Sequence, residues 1–572
     1  MIDNATLSTK LSSYYTSAFN WQQRRHTDWK ENYELYRDKV IVNRLTQRQS
    51  VNVPLMKETI KTILARTDDA PDILFESKAN NKQKELFLNE YWKWTFDNDR
   101  LEIKDIVDKK QVCLYGISGR KINVSGGRFY SEVLDTHDIL FDRWTDPTDI
   151  DHTAQIIIHQ HIYKTLSDIG KNKFYDEAAI KRIATQFLTK EGKVLAQENN
   201  QALIEKNQRM QDMGVPDVVN PAVGETIVEL KENFVRLTEN NRTEIYLAVE
   251  CMSEILMVKT LEEVIGKTKD NFWRDNFPFI FWSDDIERTD IYPDGVADII
   301  RTPNKIVNAW VSQLVENRTL RNFGMNYYDG TASENFVPQS FIPEPWGWYP
   351  TPGDPNKITK RVDIPDLSDS LDEILFIIGR AESASAATAT EKGNPHQGQI
   401  TLGEIKLTEE KALERITSVS KFYRLANKEF ALKWYKMVEA NSDYLDPVKL
   451  FKKSYKGNYF EKEITPADWK DEVGYEIKIS TPADKESTDL KQIQKLRILF
   501  DAFPNNTEIK KIYQKKLINL AGLNPDEEKS ILDVEQRMAE TATNAANPGG
   551  SPINNSVMMP TSIENKIPIL TH

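Results

Sequence analysis

The strongest periodic signal in this sequence lies between Gly403 and Ala440, where Ile405, Leu413, Ile416, Val419, Tyr423, Phe430, Trp434 and Met437 fall along one side of a helix. At ~1.5 Å of rise per residue such an element spans on the order of 50 Å. The chain around it has 572 residues, more than one ordinary core accommodates, so several packed lobes are expected. A hydrophobic share of 39% can fill those cores, and 23 Gly and 25 Pro are too few for wholesale disorder.

Upstream, Leu11 to Arg37 places Leu11, Tyr15, Ala18, Trp21, Trp29, Tyr33 and Tyr36 at helical spacing with charges between them. A second helical pattern follows Asn52-Val53-Pro54 through Ile60, Ile63 and Leu64, and Pro71 opens a short strand, Ile73 to Phe75. One long helix is expected from Gln83 to Cys113, with Leu88, Trp92, Phe96, Ile103, Ile106 and Val107 on a drifting apolar face. Gly116 and Gly119 end that period, and Arg120 to Val124 can pair with Arg128 to Leu134 across Ser125-Gly126-Gly127. Further strands are expected at Ile139 to Phe141, Gln155 to Tyr163, Ile245 to Cys251 and Ile255 to Lys259. Asp176 to Met213 reads as a polar helix, and Gly214-Val215-Pro216 to Gly224 as a linker. The resulting class is α+β, predominantly helical.

The texture changes at Phe277-Pro278-Phe279. Tyr292-Pro293-Asp294-Gly295 leads into a helix with Val296, Ile299, Ile300, Val307, Trp310, Val311 and Leu314 on one stripe. Pro303 interrupts it, as a kink or as the first position of a new helix capped by Thr302. Asn326 to Pro365 is rich in Pro, Gly and aromatic residues and reads as loops or short strands. A helix resumes at Asp366, with Leu371, Ile374, Leu375 and Ile378 on one face, and gives way to the small polar segment Ala381 to Gln399. Glu476 to Ser480 reads as a strand, Thr488 to Glu540 as helices, and the residues from Asn544 as a mobile tail.

Several chemistries are disfavoured. No apolar run approaches the ~20 residues of a membrane-spanning helix, and Met1-Ile2-Asp3-Asn4 does not open a secretory signal, so cytosolic synthesis and no membrane partner are expected. Cys113 and Cys251 are too few for a disulfide framework and read as buried hydrophobes. A net charge of -12 does not suit tight binding to phosphates. Nucleotide hydrolysis needs a phosphate-cradling loop, and Gly116-Ile117-Ser118-Gly119-Arg120-Lys121 has the wrong spacing. His159 and His161, with His152 upstream, would share a strand face, yet spacing supplies no carboxylate partner, so structural histidines are the preferred reading over a metal site. Asp142, Asp146, Asp149 and Asp151 lack the Gly and terminal Glu of a calcium loop and read as a solvated turn. No catalytic residue, cofactor or metal is assigned, and the chain is not expected to be an enzyme.

Taken in order, these stretches resemble the portal proteins of tailed double-stranded DNA bacteriophages, the head-to-tail connector family. The resemblance rests on Trp29-Lys30-Glu31-Asn32-Tyr33-Glu34-Leu35-Tyr36, on Leu114-Tyr115-Gly116, and on Val133-Leu134-Asp135-Thr136-His137-Asp138-Ile139-Leu140-Phe141-Asp142. It continues through Phe277-Pro278-Phe279, Tyr292-Pro293-Asp294-Gly295, Asn304-Lys305-Ile306-Val307-Asn308 and Ala389-Thr390-Glu391. The specific signal is their order, which covers most of the chain. The sequence departs from larger relatives after Glu540, where no long heptad-bearing extension follows.

The resemblance implies a wing lobe over residues 1–290, a first stem helix over 291–324, a clip over 325–365 and a second stem helix over 366–382. It then implies a tunnel loop over 383–400, a long wing helix with short strands over 401–485, a helical crown over 486–540 and a mobile tail over 541–572. Within the tunnel loop, Thr388, Thr390, Glu391, Lys392, His396 and Gln397 would face DNA; within the clip, Trp346, Trp348 and Tyr349 would contact an adaptor. On composition alone the former segment reads as a connector, and the latter aromatics could equally be core. The implied partners are further copies of the chain in a dodecameric ring, double-stranded DNA passing without sequence specificity, terminase, the major capsid protein, and adaptor or tail proteins. The implied location is the portal vertex of the virion, after synthesis in the host cytoplasm. The alternatives are another head-completion or tail structural protein and, more distantly, a metal-dependent hydrolase.

Overall fold

The computed structural model describes residues 4–39, 51–67, 72–188, 227–239, 241–323, 326–328, 359–361, 367, 370–385, 402–453 and 459–480. Of these, 54% are helical and 25% lie in strands, which makes the class α+β with helix dominant. The longer helices are α1 (Asn4–Tyr36), α2 (Leu55–Arg66), α3 (Lys82–Asn98), α4 (Leu101–Tyr115), α5 (Glu177–Leu188), α6 (Val296–Phe323), α7 (Ser370–Ser385) and α8 (Leu402–Ala440). The strands are β1 (Asp72–Ser77), β2 (Ile117–Ser125), β3 (Arg128–Leu134), β4 (Ile139–Phe141), β5 (Ile156–Thr165), β6 (Ile227–Glu239), β7 (Arg242–Cys251), β8 (Glu254–Thr260) and β9 (Phe279–Ser283). Short strands β10 (Asn326–Tyr328), β11 (Thr359–Arg361), β12 (Val448–Lys453), β13 (Tyr459–Ile464) and β14 (Tyr475–Ser480) complete the set.

The chain divides into two compact units. The first comprises Met1–Leu450 with Glu461–Pro482 and holds a five-stranded antiparallel sheet in the order β4-β5-β6-β7-β8 and a three-stranded sheet in the order β3-β2-β9. The second comprises Phe451–Phe460 with Ala483–His572, and is described only over the strand residues 451–453 and 459–460. The expected crown, 486–540, and the tail, 541–572, lie outside the described residues.

In the first unit, the hairpin expected at Ser125-Gly126-Gly127 forms, with Ser125 opposite Arg128. Gly126 and Gly127 have φ of 58° and 74°, the left-handed pair that a two-residue turn requires. The large core gathers around α8, where Trp434 is fully buried with its ring 4.9 Å from Trp92, 5.3 Å from Phe75 and 5.7 Å from Tyr91. Tyr423, Phe430 and Met437, assigned to the same side, are also buried. A smaller core lies beneath the start of α1, where Leu7, Leu11 and Ala18 meet Leu140, Ile156, Val235 and Ala248 of the sheet. Both cysteines are buried and free.

Four expectations are corrected. The helix expected from Gln83 to Cys113 is two helices, broken where Arg100 takes a left-handed φ of 51°. Asp99, just before the break, accepts from Ser131 N at 3.0 Å and so ties it to β3; the drifting apolar face reflects two axes rather than one. Strand β6 adds to the expected set, because its buried Asn233 and its Glu232 break the apolar pattern. Their partners, Ala248 O at 3.3 Å for Asn233, and Lys121 and His159 for Glu232, come from elsewhere in the chain. Of the two readings of Pro303, the start of a new helix is overturned: α6 is one helix through it, which buries Asn304 while leaving Ile299, assigned to the buried stripe, 49% exposed. Helix α7 starts at Ser370 and continues to Ser385, so the first residues assigned to the tunnel loop are helical.

Candidate functional site: a rooted helix pair

Helix α6 begins where four of the short stretches quoted above converge. Trp29 of α1 is fully buried, with ring centroids 5.8 Å from Tyr115, 4.8 Å from His137 and 5.7 Å from Tyr292. Burying four such rings in edge-on contact fixes three backbone segments against α1. The Tyr292 hydroxyl donates to Ile139 O at 3.3 Å and accepts from Phe141 N at 3.2 Å, and burial pushes its pKa up. Gln22, buried on the same helix, donates to Thr136 O at 2.9 Å and Ile139 O at 2.7 Å.

The backbones approach so closely that side chains are excluded. Gly116 sits at φ +84°, and a Cβ there would lie 2.0 Å from Pro293 O; a Cβ on Gly295 would lie 2.8 Å from Cys113 O. Leu114-Tyr115-Gly116 and Tyr292-Pro293-Asp294-Gly295 therefore form one joint.

Asp298 in the first turn of α6 is the polar hub. It accepts from Gly295 N at 2.9 Å, Asn32 Nδ2 at 3.0 Å, Arg25 at 2.8 Å and Arg301 at 2.8 Å. Burial opposes the Arg25 cation, but Asp298, Asp294 and Asp28 outweigh it and hold the guanidinium above its ordinary pKa. One turn on, α6 carries a polar ladder at four-residue spacing. Asn304 Oδ1 accepts from Met56 N at 3.0 Å, Asn308 Oδ1 from Val53 N at 2.8 Å, and Ser312 Oγ from Val51 N at 2.9 Å. Asn304 Nδ2 also donates to Val53 O at 3.1 Å. The segment leading into α2 and the first turn of that helix are thus laced to α6.

Helix α7 packs on α6 and α2, and its buried residues are Ile374, Ala381 and Ser385. The face expected to bury Leu371, Ile374, Leu375 and Ile378 together splits instead: Leu371, Leu375 and Phe376 are 54%, 61% and 67% exposed. On α6, Val315 is 48% exposed. The pair is thus anchored at its root by aromatic burial and ion pairs, and leaves Leu371, Leu375, Phe376 and Val315 exposed among the described residues. Beyond it, β10 and β11 pair antiparallel, with Asn326 opposite Arg361 and Tyr328 opposite Thr359.

Trp346, Trp348 and Tyr349, and Thr388, Thr390, Glu391, Lys392, His396 and Gln397, lie outside the described residues. The histidines do not share one face, because β5 is bulged between His159 and Ile162, with His161 at φ 58°. His161 pairs with Asp138 at 2.7 Å, His159 lies 3.6 Å from Glu232, and exposed His152 pairs with Asp149 at 2.6 Å. Among the described residues no group of three or more His, Cys, Asp or Glu could hold a metal ion, and no helix is long and apolar enough to cross a membrane. The acidic stretch is more than a solvated turn: Asp142 is buried, and Asp151 accepts from Phe277 N at 2.9 Å and pairs with Lys433 at 2.7 Å. No protein-family model matches the chain, and no curated protein matches it.

Proposed function

We propose that the chain is one subunit of a portal-type ring at a capsid vertex, through which double-stranded DNA passes during packaging and ejection. The observation that carries this reading is the helix pair, rooted by Trp29, Tyr115, His137 and Tyr292 yet presenting Leu371, Leu375 and Phe376 to solvent. A head-to-tail ring buries such a face against a different face of the next copy. Four of the stretches that carry the family resemblance meet at this root, which supports reading α6 as a stem helix held in place by its neighbours.

Charge supports the same reading. A conduit must let a polyanion slide, and every phosphate contact adds salt-sensitive affinity. A subunit of net charge -12 disfavours such contacts, and repulsion from an acidic wall acts over a Debye length of ~8 to 10 Å. In this reading 325–365 supplies the clip, 386–400 the tunnel loop, and terminase, the major capsid protein and adaptor or tail proteins are the docking partners. The role is structural, with packaging energy supplied by the separate motor. Negative-stain images of the purified full-length protein are expected to show rings with a central hole; a species that stays monomeric under all conditions overturns the proposal.

A further inference from the structure

Beside the root of α6 lies a cavity of about 400 Å³, between β9, the turn at 147–151 and α8. Its walls are apolar, formed by Phe281, Trp282, Ile291, Phe422 and Leu425. Its charged lining is almost entirely of one sign: Asp149, Asp151, Asp285, Asp290 and Glu429 against a single cation, Lys433.

That cation is already neutralised. Lys433 Nζ is 2.7 Å from Asp151 and 2.7 Å from Glu429, and donates to Phe279 O at 2.7 Å. Asp290 is held by Arg24 at 2.5 Å. Asp149 faces His152, and the Asp285 carboxylate has no cationic partner among the described residues. The surplus is felt by Glu429, whose pKa is raised by burial and, against the pull of Lys433, by repulsion from Asp151 and Asp149.

An apolar hole whose rim carries five carboxylates against Lys433 and Arg24 suits a side chain with a hydrocarbon stem and a cationic head. We propose that this cavity docks an arginine- or lysine-bearing segment of a different protein, with the stem against Phe281, Phe422 and Leu425 and the cation on the Asp149 and Asp285 carboxylates. A second copy is disfavoured as occupant because it brings a net charge of -12 to an acidic rim. The proposal goes beyond the ring reading and does not depend on it.

The test uses full-length protein titrated calorimetrically with two blocked tripeptides, Arg-Leu-Arg and Glu-Leu-Glu. The basic peptide is expected to bind with an affinity that falls as salt rises, and the acidic one not to bind. The double variant Asp149→Asn, Asp285→Asn should weaken binding roughly tenfold. Leu425 is 56% exposed, so Leu425→Arg should leave the circular dichroism and melting curve unchanged while filling the cavity with the chain's own cation and abolishing binding. Equal binding of both peptides, no binding of the basic peptide at millimolar concentration, or unchanged binding in Leu425→Arg overturns the proposal. Loss of oligomer in the double Asn variant would assign the cavity to a second copy and overturn it too.

Discussion

Glu232 lies in the middle strand of the five-stranded sheet, with the Lys121 ammonium on its carboxylate and His159 Nδ1 3.6 Å away. Burial alone would raise its pKa, but Lys121 and His159 together pull it from 4.5 down to about 2. Because the folded value lies below the unfolded one, the stabilisation is complete above pH 4.5 and is lost as pH falls toward about 2. The shift corresponds to something on the order of 3 kcal/mol. Glu232→Gln should therefore lower stability at pH 7 by about that amount, and denaturant titrations should show the difference from wild type shrinking across that acidic window. A constant difference down to pH 3 would dissociate the ion pair from stability. Gly116 is constrained by geometry instead of charge. With φ at +84° and Pro293 O 2.0 Å from any Cβ, Gly116→Ala should cost roughly 3 kcal/mol or more, since left-handed strain adds to a clash that only backbone movement relieves. A thermal melt within a degree of wild type would show that the joint has slack.

At the scale of elements, the lacing of residues 51–56 to α6 invites a local test. Each buried amide bond removed leaves a backbone partner unsatisfied, a cost of about 1–3 kcal/mol. The double variant Asn304→Ala, Asn308→Ala should speed hydrogen exchange at Val53 and Met56, whose amides those side chains accept, while leaving the β5-β6-β7 amides protected; uniform loss of protection would mean that the ladder holds the whole lobe. The same element shows what the sequence can and cannot reveal. Periodicity marks α6, α7 and α8, because Ile300, Val307, Tyr423 and Trp434 repeat at intervals that one buried stripe imposes. It misassigns Ile299 and Leu375, whose spacing suits burial but whose side chains face solvent, since one chain's periodicity does not say which neighbour covers a face. Strand β6 escapes a local reading because polar Asn233 and charged Glu232 are satisfied across strands, information no local window contains. The aromatic root is legible only as separate fragments: Trp29, Tyr115, His137 and Tyr292 are far apart in sequence, and only the fold places their rings together.

For the whole molecule, the face of α7 left exposed among the described residues is where the proposed ring can be tested. Leu371, Leu375 and Phe376 stand more than half exposed on a helix whose opposite side is already packed. Covering three such side chains contributes on the order of 5 kcal/mol per contact, and a ring repeats that contact once per subunit. A polar substitution at exposed positions costs the subunit itself little, usually within about 0.5 kcal/mol, so fold and assembly can be separated. Leu375→Glu with Phe376→Glu should leave circular dichroism and the melting curve of the dissociated chain unchanged. It should also abolish rings in negative stain and shift the mass measured by light scattering to that of a single chain, because each contact would now bury two unpaired carboxylates. Restoring assembly at acidic pH, where those carboxylates protonate, would tie the loss to charge rather than to lost shape. If rings persist at neutral pH in this variant, the α7 face is free for another partner and the subunit contact must be sought elsewhere on the chain.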